Sequence, residues 1–129
     1  MAYAVGYKTR SFVLTVHIKN FENLGIPPDI YNDPKLLAAT LLDIWEQSST
    51  TMTRTGACAV CRSKEGLYHV HLALYSESPT TLGNVAKLFG NAHTEPQLGG
   101  KQALSDYIEK KPPNDEKGEE VLYVTGLQN

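Results

Sequence analysis

The chain has 129 residues, of which 41% are hydrophobic and 20% charged, with a formal net charge of −2 and a pI near 6.1. That length suits one domain able to bury its own core without staples, and the charge does not mark a strongly basic duplex binder. No apolar run approaches the roughly 18 residues that span a bilayer, and "MAYAVGYKTR" has no signal-peptide core, so a cytosolic protein is expected.

In chain order, "SFVLTVHIKNF" (11–21) alternates as a strand should. Phe12, Leu14, Val16 and Ile18 fall on one side, with Val13, Thr15 and His17 on the other. "GIPPDIYN" reads as a loop. "DPKLLAATLLDIWEQS" (33–48) reads as a helix with Asp33 as N-cap and Pro34 at its first position; Leu37, Leu41, Ile44 and Trp45 form its apolar stripe. Trp45 is read as packing. Residues 53–62 and 67–75 form a hairpin about a tight turn at "SKEG". "SPTTLGNVAKLFG" (78–90) predicts a second helix with Ser78 as cap, Pro79 first, and Gly90 at its end.

"NAHTEP" reads as a short extended piece and "QLGG" as a turn. "KQALSDYIEKK" (101–111) reads as a third helix, stopped by Pro112 and Pro113, with Leu104 and Ile108 facing the core. An acidic loop and a last strand, "VLYVTG", complete the order β-α-β-β-α-β-α-β. Helices recurring between strands of a mostly antiparallel sheet predict an α+β fold of the ferredoxin/RRM-like kind. Charge is uneven: "PPNDEKGEE" (112–120) carries Asp115, Glu116, Glu119 and Glu120 against Lys117, just after Lys101, Lys110 and Lys111.

The chemistry concentrates in "GLYHVHLALY" (66–75). With period two, His69 and His71 share one face, while Tyr68, Val70, Leu72 and Leu74 share the other. The apolar row must face the core, so the imidazoles lie on the less filled side, where both can reach one divalent ion. Two nitrogens are too few for a closed structural zinc site, so such an ion would keep open positions. On the third helix Tyr107, Lys110 and Lys111 stand at i, i+3 and i+4, and a phenol beside an ammonium ionises more readily. Cys58 and Cys61 form C-A-V-C within a strand, where residues three apart face opposite ways. They read as two small buried thiols rather than a redox pair.

Taken together, "FVLTVHI" (12–18), "HVH" (69–71) and "YIEK" (107–110), in that order, resemble the motifs of HUH endonucleases of the rolling-circle replication-initiator (Rep) type. The stretch "AHTEPQLGGKQALSDYIEK" resembles the approach to the catalytic tyrosine in the same family, so the likeness spans residues 11 to 111. The resemblance implies a nuclease that nicks single-stranded or hairpin origin DNA and leaves a 5′-phosphotyrosine link and a free 3′ hydroxyl. It implies Tyr107 as nucleophile, Lys110 as its assistant, His69 and His71 as ligands of Mn²⁺ or Mg²⁺, and Lys101, Lys111 and Arg62 as DNA contacts. It also implies a bacterial cytoplasm as location, or a host nucleus for a viral source.

The chain departs from the family at the third metal ligand. A two-residue turn at "SKEG" would put Cys58, Val60 and Arg62 on the histidine face, whereas a one-residue shift would put Cys61 there. Cys61, Glu95 and water are the alternatives, ahead of Glu65 and His17. A thiolate suits Mg²⁺ poorly and Mn²⁺ or Zn²⁺ better.

Two other readings compete. A single-tyrosine HUH transposase shares the motif order, but usually has a glutamine-bearing helix in place of Y-x-x-K. A noncatalytic RRM-like module would stack single-stranded bases on Tyr75, Phe12 or Tyr68. Because the sequence stops directly after a strand, residues 1–129 read as one nuclease domain, either excised from the N-terminal part of a longer Rep protein or forming the whole product. That longer protein would self-associate or meet host replication proteins.

Overall fold

Alternation of large apolar residues along three strands, and their clustering on one stripe of a helix, dictates a sheet with helices on one side. The structure, a computed structural model, describes residues 4–66, 68–97, 108 and 120–125. Their strands form one five-stranded sheet in the order β4-β1-β3-β2-β5, with every pairing antiparallel. The strands are β1 (Lys8–His17), β2 (Arg54–Arg62), β3 (Tyr68–Thr81), β4 (His93–Pro96) and β5 (Glu120–Thr125). Between them lie α1 (Ile18–Asn23), α2 (Pro28–Tyr31), α3 (Pro34–Glu46) and α4 (Leu82–Leu88). This α+β arrangement is compatible with the ferredoxin/RRM-like fold the sequence predicts. No helix among the described residues is long and apolar enough to cross a membrane.

The packed face is the one the alternation marks. Phe12, Leu14 and Val16 of β1, Cys58 and Val60 of β2, and Val70, Leu72 and Leu74 of β3 are buried together. They meet Leu37, Leu41 and Trp45 from α3, and Leu82, Val85 and Phe89 from the α4 side. Trp45 anchors this layer. Its ring meets Phe12 edge-on at 6.1 Å between centroids, its indole N–H donates to the Thr55 carbonyl at 2.8 Å, and the Arg54 guanidinium lies 4.6 Å over it. Helix α3 starts as its sequence requires, with the Asp33 carboxylate accepting from the Leu36 N–H at 3.2 Å and Pro34 at the first position.

Several boundaries differ from the sequence reading, and three of the differences have a clear local reason. The first strand ends at His17 rather than Phe21. The Asn20 side chain accepts from the His17 N–H at 2.8 Å, helix α1 begins at Ile18, and Phe21 is buried from the helix instead of the sheet. Within "GIPPDIYN", Pro28 opens one helical turn. The second helix begins at Leu82, not after Ser78. Pairing of Lys8 with Thr81 and Thr9 with Thr80 keeps those residues extended, and Thr81 Oγ1 caps the helix by accepting from the Asn84 N–H at 3.1 Å.

Beyond α4 the chain reverses through Gly90 and Asn91, both at φ of 65°, a region glycine enters freely and asparagine tolerates. The Gly90 carbonyl accepts from the side chains of Asn20 and Asn23 at 2.9 and 3.1 Å, which ties α1 to this turn. A Cβ at Gly90 would lie 2.5 Å from the Asn20 carbonyl oxygen, so the position has no room for a side chain. The turn delivers β4 to the outer edge of β1.

Candidate metal centre

The other face of the sheet is built in cross-strand rows, because residues paired across antiparallel strands project to the same side. One row runs Cys61, His69, His17; the next runs Ala59, His71, Thr15, His93; the third runs Ala57, Ala73, Val13, Glu95. The register follows from the hairpin. Arg62 pairs with Tyr68, leaving the odd-numbered connection 63–67, in which the Gly66 N–H donates to the Ser63 carbonyl at 2.8 Å and Gly66 takes a φ of 86°. A two-residue turn would have put Cys58 beside the histidines; the longer connection puts Cys61 there.

Cys61, His69 and His71 are all buried, and their ligand atoms lie within 4.8 Å of one another. Ligands held about 2.0–2.3 Å from a common ion at tetrahedral angles stand roughly 3.3–3.8 Å apart, so side-chain shifts of up to about 1 Å would bring the three together. The two imidazoles meet edge to face, 4.9 Å between centroids at 88°, as neighbouring rings on one strand face must. The donor set fits a first-row divalent ion: one sulfur and two nitrogens, with the remaining positions free for substrate or water. The sequence reading of this side as less filled is corrected, because His69 is 7% and His71 4% exposed.

The small side chains explain part of that cover. Ala57, Ala59 and Ala73 form a shallow seat next to the triad, and Ile108, in helical conformation and 1% exposed, is buried in one cluster with them and Cys61. Val13 and Tyr75 pack at its rim. Sequence reasoning expects Ile108 to face the main core. Instead it is buried on the opposite side of the sheet, against the alanines. The signal was present in "GACAVC" and "HLALY", where alternate positions are small, but spacing alone does not say which segment fills such a seat.

The remaining candidates separate. Cys58 faces the helix-packed core, and burial, with a smaller push from Cys61, raises its thiol so that it stays protonated. Glu95 is on the histidine face but on β4, two strands from β3, about 10 Å across the sheet. Its carboxylate is engaged by His93 Nε2 at 2.8 Å, so it does not join the triad. His17 stacks near His69 at 6.1 Å between ring centroids and is likewise not part of the triad. Arg62, paired with Tyr68, projects to the face opposite the histidines and contacts the Glu120 carboxylate at 3.4 Å. Tyr107, Lys110, Lys101 and Lys111 lie outside the described residues.

The aromatics that a base-stacking module would use are not gathered on an open surface. Phe12 is fully buried and Tyr68 is half-buried against the helix-packed core, while Tyr75 lies at the rim of the Ile108 cluster. No protein-family model matches this chain, and no curated protein matches it.

Proposed function

We propose that this chain is a Rep-type nuclease domain that nicks single-stranded origin DNA through a covalent phosphotyrosine. The observation that carries the reading is the burial of Ile108 in one cluster with Cys61, on the face that holds His69 and His71. Ile108 is the residue after Tyr107 in the Y-x-x-K motif, and its burial on the histidine side of the sheet, rather than in the main core, supports this reading. Under this reading the histidine pair and the Y-x-x-K motif serve one site, an arrangement that neither a structural histidine pair nor a stacking module requires.

In this reading the Tyr107 phenol oxygen forms a bond to the scissile phosphorus, and the bond from phosphorus to the 3′ oxygen breaks. The phenolic proton ends on the 3′ hydroxyl, directly or through water, and Lys110 steadies the charge developing at the phosphate or at the phenol. A divalent ion held by His69 and His71 supplies Lewis-acid polarisation of a phosphate oxygen when bound. The buried imidazoles fix the geometry at the phosphate, and the Ile108 cluster keeps water from the sulfur side. Lys101 and Lys111 are proposed as backbone contacts; Arg62, on the opposite face and engaged by Glu120, is left out of the site. With a net charge of −2 the chain has weak general affinity for DNA, so recognition depends on bases exposed in a single strand. Y-x-x-K favours the initiator over the transposase reading. A cytoplasmic or host-nuclear location, and self-association or host replication partners, follow from the same proposal.

The test is incubation with a pool of single-stranded and hairpin oligonucleotides, with Mn²⁺ or in chelator, followed by peptide mapping of any adduct. The expected result is ion-dependent cleavage, DNA attached to Tyr107, and no adduct with Tyr107→Phe. DNA found on Tyr75 or Tyr123, or full cleavage in excess chelator, would overturn the reading.

A further inference from the structure

The donor set on the histidine face is unlike a site built for a hard ion. We propose that Cys61 is the third ligand of a thiolate–bis-imidazole site that takes a borderline ion of the Zn²⁺ and Co²⁺ class, accepts Mn²⁺ less tightly, and discriminates against Mg²⁺. The proposal rests on the nuclease reading only for what the ion does in the reaction; the ion preference follows from the triad itself.

Three observations carry it. Register places Cys61 directly opposite His69, and the three ligand atoms lie within 4.8 Å of one another. The carboxylates that could replace sulfur are elsewhere. Glu95 is two strands away and engaged by His93, and Glu65 is exposed in the 63–67 connection, where it joins no metal-binding group among the described residues. The third is burial. Cys61 is fully buried beside Ala57, Ala59 and Ile108, so the thiol is held at the triad by packing and cannot swing to solvent.

Coordination replaces the S–H bond by a sulfur–metal bond and releases one proton to solvent, with no change of oxidation state. Thiolate is a soft donor that binds zinc and cobalt well and competes poorly for magnesium, which demands oxygen ligands and holds its water. Of the two ions the family resemblance implies, Mn²⁺ is therefore the one this site tolerates.

The 129-residue chain, stripped with chelator and titrated with Co²⁺, provides the test. One equivalent should produce a near-ultraviolet sulfur-to-cobalt charge-transfer band. Zn²⁺ should abolish the band stoichiometrically, while Mg²⁺ at about a hundredfold excess should leave it unchanged. Cys58→Ser should retain the band and Cys61→Ser should lose it. Cys61→Asp should lose it too and raise Mg²⁺ affinity relative to Co²⁺ by about tenfold or more. With only two cysteines in the chain, the parent and Cys58→Ser assign the sulfur even if the Cys61 variants fail to fold. Cobalt bound without the band, a band lost in Cys58→Ser, or ready displacement by Mg²⁺ would overturn the proposal. The band with no DNA adduct would keep this inference and sink the nuclease reading; an adduct dependent on Mg²⁺ alone, with no band, would do the reverse.

Discussion

The two faces of the sheet use the same strands for opposite purposes. On the helix-packed face, β1, β2 and β3 contribute Phe12, Leu14, Val16, Val60, Val70, Leu72 and Leu74, which fill the space under Trp45 and Leu41. One residue away along each strand, the opposite face carries Val13, Thr15, Ala57, Ala59, Cys61, His69, His71 and Ala73. The first face maximises apolar area, at about 1.5–3 kcal/mol for each large side chain removed from water. The second has little area to bury and holds side chains that can bind an ion. The large apolar core and the candidate ion ligands are thus divided between faces of one sheet, and a substitution should reveal which it serves.

The largest expected effect breaks the comparison on the chemical side. On the proposed nuclease reading, His69→Ala or His71→Ala should reduce nicking of a cleavable oligonucleotide by about a thousandfold or more, since losing a ligand would remove an interaction needed in the transition state. Unfolding in urea should show a loss below about 2 kcal/mol, because neither ring is part of the main core. Cleavage within tenfold of the parent would remove the histidines from the reaction.

On the structural side, Trp45→Ala should cost about 3–5 kcal/mol in the same urea experiment. The substitution empties the centre of the helix layer, leaves the Thr55 carbonyl without its indole donor, and uncovers Arg54. Cobalt binding by whatever fraction remains folded should be unchanged. A variant that folded normally but lost the ion would show that the faces are coupled through the sheet.

How much of this division was legible in the sequence follows from the periodicities. Alternation in "FVLTVH" and "YHVHLAL" assigned each side chain to its face correctly, and Asp33-Pro34 marked the start of α3. Boundaries were less legible where a tertiary contact decides them. Thr80 and Thr81 stay extended only because Lys8 and Thr9 pair with them, and His17 ends its strand because Asn20 reaches back. The third ligand stayed open for a similar reason. Parity of the 63–67 connection chooses between Cys58 and Cys61, and three polar letters before a glycine do not reveal where the turn closes. The alanine seat shows the limit best: small residues announce a close approach, but not that Ile108 makes it.

A smaller effect sharpens the contrast at that seat. Ala59→Leu places a large side chain in the row of His71, under Ile108, and should cost about 1–3 kcal/mol by overpacking. Placing a leucine at a more exposed strand position should be nearly neutral. Urea unfolding of Ala59→Leu beside Val124→Leu, on the exposed edge strand β5, makes the comparison directly. Equal midpoints would mean that the histidine side has room to spare.

The smallest effect separates two tyrosines of one strand, Tyr68 on the helix-packed side and Tyr75 on the histidine side. The Tyr68 hydroxyl oxygen is buried with no hydrogen-bond partner among the described residues. Burial pushes its phenol up to about 12, with Arg62 pulling weakly the other way. An unmade buried hydrogen bond is a cost that phenylalanine does not carry, so Tyr68→Phe should be neutral or stabilising by up to about 1 kcal/mol at pH 7.

The pH dependence has a definite sign. The folded phenol keeps its proton to a higher pH than the unfolded one, which ionises near 10. From about pH 10 upward the unfolded chain therefore binds fewer protons, and stability falls as pH rises until the folded group also ionises near 12. Tyr68→Phe should remove that part of the alkaline loss, so the gap between variant and parent should widen from pH 9 to pH 11 in paired urea titrations. If Tyr68→Phe instead lowered the midpoint at pH 7 by more than about 1 kcal/mol, the hydroxyl would have to be a satisfied donor, and the packed face would hold a polar contact of its own.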